Sequence, residues 1–432
     1  MERIATTELL AHAGERVRLA GWLERLRRLG SIDFLILRDG AGSVQVVIDS
    51  AELREQLAGL PAESVLAVEG LAAAAPQAPG GVELRAERLE VIAAASESPP
   101  FDLFRPTIPA QLPTILDHAP VALRHARSRA LFRLQAASVR GFRATLDALG
   151  FVEIHTPKLV ASATESGANV FPVDYFGRTA YLAQSPQFYK QIMVGVFERV
   201  YEVGPVFRAE PHDTPRHLNE YISLDAEMGF IEDHTTVMSV LTQVLAGMVQ
   251  AVGQEQAALA TLGVELPVVP ARIPAIHFTE ALELISHATG EDVRGEPDLA
   301  PAHERWLGEW VLREHGTEFL FVVGYPAAKR PFYTHPDPAR PGYTNGFDLL
   351  FRGLELVTGG QRLSHYEDYL AALAARGQDP EPLAGYLEAF KHGMPPHGGF
   401  ALGLERWIAR LTGAANIRET TLFPRDLNRL TP

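Results

Sequence analysis

Short runs rich in Val, Ile and Leu fill residues 16–95 of the chain. Turn residues such as Asp39-Gly40 and Pro79-Gly80 separate these runs, as is usual between β-strands. The runs read "RVRLAGWLERL", "DFLILRD", "SVQVVID", "SVLAVEGLAA" and "GVELRAERLEVI". About five strands in so short a segment predict a small closed barrel.

The oligonucleotide-binding barrel is the leading member of that class, so residues 1–98 are predicted to form such a domain. A stretch with six prolines follows, "SPPFDLFRPTIPAQLPTILDHAP", which lacks helical or strand periodicity. This composition predicts a hinge or a wrapped linker at residues 99–123.

The pattern changes at about residue 124, where apolar residues recur at helical spacings of three and four before Gly150. These residues are Val139, Phe142, Leu146 and Leu149. After the strand "FVEIHTP", short strands alternate with polar turns, and residues 233–259 and 365–391 look helical. For residues 124–432 this predicts an α+β domain with a largely antiparallel sheet.

Composition limits the classes of function. The 432 residues include no Cys, which excludes disulfides and thiolate metal sites, and the His residues lack metalloprotease spacing, so zinc is not expected. The first thirty residues lack a leader pattern, and no segment has eighteen uninterrupted apolar residues. We therefore expect a cytoplasmic protein with no membrane partner.

The net charge of −14 argues against indiscriminate binding of polyanions, so a nucleic-acid partner would have to meet local basic patches. Two candidate patches are Arg25, Arg27 and Arg28 followed by Arg38, and Arg124, Arg127 and Arg129. Charged helix faces look similar, so neither patch alone indicates nucleic acid.

The segment "FRAEPHDTPRHLNEYISLDAEMGF", residues 207–230, gathers many charges around one predicted turn. The charged or titratable residues are Arg208, Glu210, Arg216, His217 and Glu227. A solvated hairpin loop has the same composition, so these residues alone leave a binding site and an ordinary surface loop both open.

Four segments taken together decide between these alternatives. The 207–230 segment resembles the second signature motif of class II aminoacyl-tRNA synthetases, "GGFALGLERWIARLTGAANIRETTLFPRD" resembles the third, and "GFVEIHTPKL", with Pro157, resembles the first. "QSPQFYKQ" and "GLELVTGGQR" narrow the resemblance to the aspartyl branch, and the compact barrel and "RHLNEY" to its archaeal type. The match covers nearly the whole chain.

The resemblance implies that the chain joins aspartate to ATP, forming aspartyl-adenylate, and transfers the aspartyl group to tRNA. Fixed cations would align the two anionic reactants, and an Arg fork can hold a phosphate and a carboxylate oxygen at once. By resemblance Arg208 is that fork and Arg406 closes over the nucleotide. The implied ATP-binding residues are Arg208, Glu210, Arg216, His217, Tyr221, Glu355 and Arg406. A lone Tyr is more often a core aromatic, but the spacing of Tyr221 from Arg208 favours the nucleotide-binding role.

The same resemblance implies an aspartate pocket with cations for the side-chain carboxylate, for which Lys190 and Arg362 match the family's pair. Its residues would be Glu165, Ser185, Gln187, Lys190, Arg208, Asp225 and Arg362, with Asp225 also open to a purely structural role. Magnesium, which prefers oxygen ligands, would be bound by Glu355 and Thr358. The implied cofactors are therefore ATP and Mg²⁺.

In the barrel, Phe34 matches the family's residue for stacking on an anticodon base, although a Phe in "DFLIL" could also belong to the core. Gln45 and Glu83 stand at base-reading positions, and Arg27 and Arg28 would contact phosphate. The implied partners are tRNA(Asp) and a second copy of the chain across the first motif. The likeness to archaeal-type enzymes of bacteria favours charging of tRNA(Asn) as well, which would imply a downstream amidotransferase.

Three positions depart from the family pattern: Ser166 stands for Gly, Gly360 for Ala, and Ala401 for a Gly in a predicted turn of the third motif. Ala does not adopt positive φ easily, which makes the Ala401 turn the weakest expectation. Three alternatives stay open: an asparaginyl-tRNA synthetase, a synthetase-like asparagine synthetase, which should lack the barrel, and a non-catalytic nucleic-acid-binding barrel protein.

Overall fold

The structure is a computed structural model that describes residues 1–161 and 169–431. The chain divides into two compact units, Met1–Ser128 and Arg129–Pro432. The predicted segment limits at residues 98 and 123 stay predictions.

The first unit contains a closed five-stranded barrel, as the sequence predicts. Its strands follow the order β1-β2-β3-β5-β4, and only the β3–β5 pair is parallel. The elements are β1 (Arg16–Leu29), β2 (Ile32–Arg38), β3 (Ser43–Ile48), α1 (Ala51–Gln56), β4 (Val65–Ala74) and β5 (Val82–Ala93), with 3₁₀ turns at Thr6–His12 and Pro79–Gly81.

Alternation along each strand fills the barrel. Leu35 and Leu37 of β2 are fully buried in the barrel core, while Phe34 between β1 and β3 lies half-buried on the outer face. Closure also depends on glycine, because a Cβ at Gly21 would lie 2.1 Å from the carbonyl oxygen of Arg38. The residue pattern therefore specifies both the core and the close approach of the strands.

The proline-rich stretch packs around a small cluster that includes Phe101, Leu103 and Ala122. It contains two short helices, α2 (Leu112–Asp117) and α3 (Ala119–Ala122), each with a proline in its first turn. The lack of periodicity in the sequence did not predict these helices, because four to six residues are too few to show a helical repeat.

The second unit is an α+β domain, as predicted. Its strands are β6 (Val152–Glu153), β7 (Leu159–Val160), β8 (Pro172–Tyr175), β9 (Arg178–Leu182), β10 (Arg199–Phe207), β11 (Glu220–Gly229), β12 (Ala275–His277), β13 (Phe319–Val323), β14 (Gly346–Phe351), β15 (Leu354–Gln361) and β16 (His397–Gly403). Its helices are α4 (Ala126–Ala148), α5 (Gln187–Phe197), α6 (His234–Val252), α7 (Gln256–Leu262), α8 (Phe278–Thr289), α9 (Pro301–His315), α10 (Tyr366–Ala375), α11 (Ala384–Lys391) and α12 (Leu404–Thr412), with α4 beginning just before the division. Further 3₁₀ turns lie at Ala327–Lys329, Glu381–Leu383 and Ile417–Thr420.

Eight of these strands form one sheet, in the order β12-β13-β14-β15-β16-β11-β10-β6. The pairs β12–β13 and β10–β6 at its two edges are parallel, and the five pairs between them are antiparallel. Strands β7, β9 and β8 form a separate small sheet. The prediction of a largely antiparallel sheet is confirmed.

The two faces of the large sheet have different chemistry. On β11, Leu224, Ala226 and Met228 belong to the main apolar core together with residues of α4, α6 and α12. Because side chains alternate along a strand, the residues between them project from the opposite face. These are Tyr221, Ser223, Asp225 and Glu227, so one strand carries a row of polar groups away from the core.

Helix α6 is the one helix within the described residues that is long and apolar enough to cross a membrane. Its residues Val237, Leu241, Val244 and Met248 are fully buried in the main core. This helix therefore packs as a core helix beneath the sheet.

Candidate active site

The polar face of the large sheet borders a cavity of about 390 Å³. Six Lys or Arg side chains and three Glu side chains line it, so it is cationic although the whole chain has a net charge of −14. The charged lining residues are Arg208, Arg216, Lys329, Arg330, Arg362, Arg406, Glu210, Glu355 and Glu405. A site of this charge suits an anionic ligand.

Arg208 directly follows β10, and its backbone is fixed on both sides by Asn219. Its N–H donates to the carbonyl oxygen of Asn219 at 2.9 Å, and its carbonyl oxygen accepts from the Asn219 side chain at 2.7 Å. The guanidinium carbon lies 5.8 Å from the ring centroid of Tyr221, which also lines the cavity. Tyr221 is thus a cavity residue and not a core aromatic.

The loop between β10 and β11 carries Glu210, Arg216 and His217 into the same cavity. His217 Nε2 lies 3.7 Å from Glu210 Oε2, and its Nδ1 lies 2.6 Å from the Thr214 hydroxyl. Burial lowers the pKa of His217 and outweighs the opposite effect of Glu210. The loop therefore presents a neutral imidazole beside an arginine near pH 7.

Arg418, which the sequence analysis did not single out, anchors this loop. Its Nη2 donates to Asp213 at 2.7 Å, and its Nη1 donates to the Thr214 carbonyl at 3.3 Å. It also pairs with Asp426. A guanidinium that joins the loop to the C-terminal segment has no local sequence signature, since its partner Asp213 lies 205 positions away.

Arg406 lies in the first turn of α12 and enters the cavity from the third motif. Its Nη1 lies 3.4 Å from the Glu355 carbonyl oxygen and 3.9 Å from Glu355 Oε1. The Thr358 hydroxyl donates to the same Oε1 at 2.9 Å. The structure thus brings Arg406 and the predicted pair Glu355 and Thr358 together.

Lys190 and Arg362 meet at a third charged side chain, Glu227. Lys190 Nζ lies 3.4 Å from Glu227 Oε2 and donates to Asp225 Oδ1 at 2.9 Å, while Arg362 Nε donates to Glu227 Oε1 at 2.9 Å. Lys190, Asp225 and Glu227 are at most 2% exposed, and only Arg362 of this group borders the cavity. Asp225 is placed as the buried partner of Lys190.

Burial would raise the pKa of Glu227, but the charges of Arg362 and Lys190 outweigh it and lower that pKa. The carboxylate is therefore ionised and holds both cations. Gly399 makes room for it, because a Cβ there would lie 2.1 Å from Glu227 Oε2 and 2.1 Å from the Ala226 carbonyl oxygen. The sequence showed Glu227 as a charge in the second motif but gave it no role.

The remaining predicted residues are Gln187 and Ser185, which the structure describes, Glu165 and Ser166, which it does not, and Gly360. Gln187 lines the cavity at the start of α5, and the Ser185 hydroxyl accepts from the Gln187 backbone N–H at 3.2 Å. Glu165 and Ser166 lie outside the described residues. At Gly360 a Cβ would lie 2.7 Å from the Asn345 carbonyl oxygen, so Gly fits here where the family often has Ala.

The expected turn at Ala401 is wrong. Ala401 lies inside β16, paired with Asp225 of β11 and Thr358 of β15. It is in regular strand conformation, in which Ala needs no positive φ. The departure from Gly is therefore compatible with the observed backbone.

In the barrel unit, Arg27, Phe34, Gln45 and Glu83 project from the outer face of the sheet, whereas Arg28 is registered opposite Asp33 and so projects from the other side of β1. Arg27 pairs across with Phe34, and Gln45 pairs across with Glu83, to which its side-chain amide donates at 3.2 Å. Arg28 lies 3.9 Å from the buried carboxylate of Asp33. Half-burial on the outside leaves the ring of Phe34 accessible, so it is not a residue of the barrel core.

Two arginines of the predicted basic patches have other roles. Arg38 is 5% exposed and donates to both carboxylate oxygens of Glu63, at 2.8 and 2.6 Å. Arg124 donates to the same carboxylate at 2.9 Å. The place of Arg38 in a phosphate-binding patch is wrong, because its side chain is buried against this carboxylate. The patch with Arg124, whose side chain is 41% exposed, stays a prediction.

Comparison with known proteins agrees with this geometry. The family described as tRNA synthetases class II (D, K and N) matches residues 112–427, and the OB-fold nucleic acid binding domain matches residues 17–92. The chain therefore belongs to the class II tRNA synthetases. It is an aminoacyl-tRNA ligase, a class of enzyme that uses ATP to attach an amino acid to tRNA.

Similarity to individual proteins extends over the whole chain. The Aspartate–tRNA(Asp/Asn) ligase of Thermus thermophilus is 48% identical over 431 residues, 100% of both chains, and the Aspartate–tRNA(Asp) ligase of Pyrococcus horikoshii is 40% identical over 427 residues, 97% of both. The crystal structure of asparaginyl-tRNA synthetase from Pyrococcus horikoshii complexed with asparaginyl-adenylate covers 100% of both chains with a TM-score of 0.93 at 32% identity. The fold is thus common to ligases named for aspartate and for asparagine.

Proposed function

We propose that this aspartate–tRNA ligase forms aspartyl-adenylate in the cationic cavity and then charges both tRNA(Asp) and tRNA(Asn). In the first step an oxygen of the aspartate α-carboxylate bonds to the α-phosphorus of ATP, and pyrophosphate leaves. In the second, a hydroxyl of the terminal adenosine of tRNA bonds to the aspartyl carbonyl carbon, and AMP leaves. The observation that carries the proposal is that Arg208, Arg406 and Arg362 all line one cavity.

Alignment of two anions is the main task of the first step. Arg208 would place its planar fork between the α-phosphate and the α-carboxylate, while Arg406 neutralises charge from the opposite motif. Tyr221 would stack on the adenine, whose amino group would donate to Glu210. Arg216 and His217 would contact the outer phosphates from their loop. Binding both reactants in one orientation removes much of the entropic barrier.

Selection of aspartate over asparagine would depend on Lys190 and Arg362. Asp225 and Glu227 form ion pairs with these two cations and hold them in place. The side-chain carboxylate of aspartate would then bind where a cation is already positioned to receive it. An amide in that position would leave the buried cations less well satisfied. Asp225 and Glu227 thus set the charge of the pocket. Arg362, which borders the cavity, would make the contact with the substrate side chain.

Glu355 and Thr358 fit a magnesium site. Both side-chain oxygens are hard donors, they already lie 2.9 Å apart, and Glu355 borders the cavity where the phosphates would lie. When held by Glu355 and Thr358, the ion would supply positive charge that neutralises the phosphates. Arg406, 3.9 Å from Glu355, would supply the neighbouring positive charge from protein.

The barrel would bind the anticodon through stacking on Phe34, base contacts from Gln45 and Glu83, and phosphate contacts from Arg27 and Arg28. The charging of two tRNAs is supported by the Asp/Asn name of the 48% identical relative, whereas the 40% identical one is named for tRNA(Asp) alone. Aspartyl-tRNA(Asn) would then need an amidotransferase partner. We also propose a homodimer across the first motif and a cytoplasmic location for this soluble translation enzyme.

Two assays test the proposal. ATP–pyrophosphate exchange should depend on aspartate and not on asparagine; exchange driven by asparagine alone would make the chain an asparaginyl-tRNA synthetase, which the shared fold allows. Aspartylation of purified tRNA(Asp) and tRNA(Asn) should then proceed on both. Charging of tRNA(Asp) alone would reject the dual specificity and leave the first step intact.

A further inference from the structure

Hydrogen bonds behind the amino-acid end of the cavity join three side chains in series, His397, Gln191 and Gln187. We call this series the Gln191 relay. Gln191 is fully buried on α5, one helical turn after Gln187, and His397 begins β16. Since all three are buried, each donor and acceptor in the series must be matched.

The first member of the relay has a defined tautomer. His397 Nδ1 lies 2.9 Å from the Pro395 carbonyl oxygen, which can only accept, so Nδ1 carries a proton. Burial lowers the pKa of His397, which keeps the ring neutral and leaves Nε2 as an acceptor. Gln191 Nε2 lies 3.0 Å from that ring nitrogen, so the amide of Gln191 must donate to it.

This contact fixes the amide of Gln191. Its Nε2 donates to His397 and, at 3.1 Å, to the Tyr369 hydroxyl. Its Oε1 accepts from Gln187 Nε2 at 3.0 Å and from the Tyr386 hydroxyl at 3.0 Å. A rotated amide would place N–H groups against the Gln187 N–H and an oxygen against the His397 lone pair. One orientation alone satisfies every partner.

Gln187 is the end of the relay that reaches the cavity. Its Nε2 is directed toward Gln191, and its Oε1 accepts no hydrogen bond from any residue that the structure describes. From this geometry we infer that His397 and Gln191 are positioning residues, which hold Gln187 with its carbonyl oxygen available to the ammonium group of the amino acid. The inference rests on the proposed function, because aspartate supplies that ammonium group.

In the relay, Gln191 affects the substrate only through Gln187. A double-mutant cycle in the full-length enzyme measures this coupling between the two residues. In ATP–pyrophosphate exchange, Gln191→Met should raise the KM for aspartate on the order of tenfold, as expected for one lost hydrogen bond to a charged group, and leave the KM for ATP within about twofold. In a Gln187→Ala background the same change should have no further effect. The matched control is Gln243→Met, an exposed glutamine of α6 that should change neither constant.

A second pair of variants covers the case in which Gln191→Met fails to fold. His397→Gln retains an acceptor for the Gln191 N–H and should keep the KM for aspartate within about twofold, whereas His397→Leu removes it and should raise that KM. Additive effects in the cycle, an equal rise in the KM for ATP, or equal behaviour of the two His397 variants would overturn the relay. If the unmodified enzyme showed no aspartate-dependent exchange, the proposed function itself would fail, which is a distinguishable result.

Discussion

The carboxylate of Glu227 accepts a hydrogen bond from Arg362 at 2.9 Å, and Lys190 lies on its other oxygen at 3.4 Å. One anion therefore holds the two cations to which aspartate selection is assigned. If this anion is removed, Lys190 keeps Asp225 as a partner, whereas Arg362 is 7% exposed and is poorly solvated by water.

Glu227→Gln should accordingly lower the free energy of unfolding by about 3 kcal/mol or more, since removing one partner of a buried ion pair leaves the charge of Arg362 uncompensated. Urea denaturation at pH 7 measures the loss. The control is Glu388→Gln, whose carboxylate forms an exposed pair with His392 and whose midpoint should not change. An unchanged midpoint for Glu227→Gln would contradict the buried-charge description.

Acid should reduce the difference in unfolding free energy between the wild type and Glu227→Gln. The folded pKa of Glu227 lies below its ordinary value of 4.5, so its stabilising effect is complete above that value and is lost as the pH falls through the folded pKa. The gap between the wild type and Glu227→Gln should therefore narrow below about pH 4 in urea titrations.

Gly399→Ala should place a methyl group where Glu227 and the Ala226 carbonyl now lie. We expect a loss of about 2 kcal/mol or more in unfolding free energy together with weaker aspartate binding, because the strand cannot move away from both neighbours. Gly385→Ala is the matched control: a Cβ there meets nothing within 4 Å, and the residue lies in α11. It should be neutral or stabilise by about 0.5–1 kcal/mol. Similar behaviour of the two variants in urea would contradict the close contact.

Arg208→Ala should abolish aspartate-dependent ATP–pyrophosphate exchange, with a decrease in rate of at least about a hundredfold, because the aligning fork is lost. The melting temperature should stay close to that of the wild type, since the side chain is one-third exposed. Arg313→Ala, on the exposed face of α9, should retain full activity. Exchange at a near-normal rate in Arg208→Ala would reject its catalytic role.

Glu405 offers a test by pH. Burial raises the pKa of its carboxyl group to about 7, although the Ile222 N–H lies 3.1 Å from both oxygens. Between the ordinary value of 4.5 and this folded value, the folded state binds more protons than the unfolded state, so stability falls as the pH rises.

Glu405→Gln removes that penalty while retaining an amide oxygen for Ile222. Relative to the wild type, the variant should gain roughly 2–3 kcal/mol of stability between pH 5 and pH 8, measured by urea denaturation at each pH. If the difference in unfolding free energy between the wild type and the variant were the same at pH 5 and at pH 8, Glu405 would not titrate in this range.

Phe34→Ala should raise the KM for tRNA by about tenfold or more in aminoacylation, because base stacking on an aromatic ring contributes roughly 1–3 kcal/mol. Exchange of pyrophosphate in the absence of tRNA should be unaffected. Ile92→Ala, an exposed apolar residue of β5, serves as the control and should leave the KM for tRNA unchanged. Equal effects on exchange and on tRNA charging would place the damage in folding.

Local patterns predicted most of the fold. Strand alternation in residues 16–95 is enough to specify the barrel, since Leu35 and Leu37 turn inward and Phe34 outward. The spacing of Phe142 and Leu146 likewise placed α4. Helices α8 and α9 and strands β12 and β13 lie outside the signature motifs, and the two strands, of three and five residues, are too short to show a clear repeat.

Partnerships between distant residues could not be predicted in this way. Arg38 looked like a phosphate ligand because the sequence does not show that Glu63, 25 positions later, meets it in the barrel. Gln191 and His397 are 206 positions apart, and only the fold reveals that they share a hydrogen bond. The motifs thus identified most of the charged cavity residues but missed Lys329, Arg330 and Glu405, and the residues that hold them in place needed coordinates.

Strand β11 sets the spacing of the polar row formed by Tyr221, Ser223, Asp225 and Glu227. Six residue steps span about 20 Å, so a rigid, hydrogen-bonded length of strand separates Tyr221, which borders the cavity, from Glu227, which holds Arg362. Exchange of a side chain can retune either end alone. Insertion or deletion of a single residue would turn the polar row toward the apolar core, so the position of these side chains depends on the length of β11 as much as on their identity.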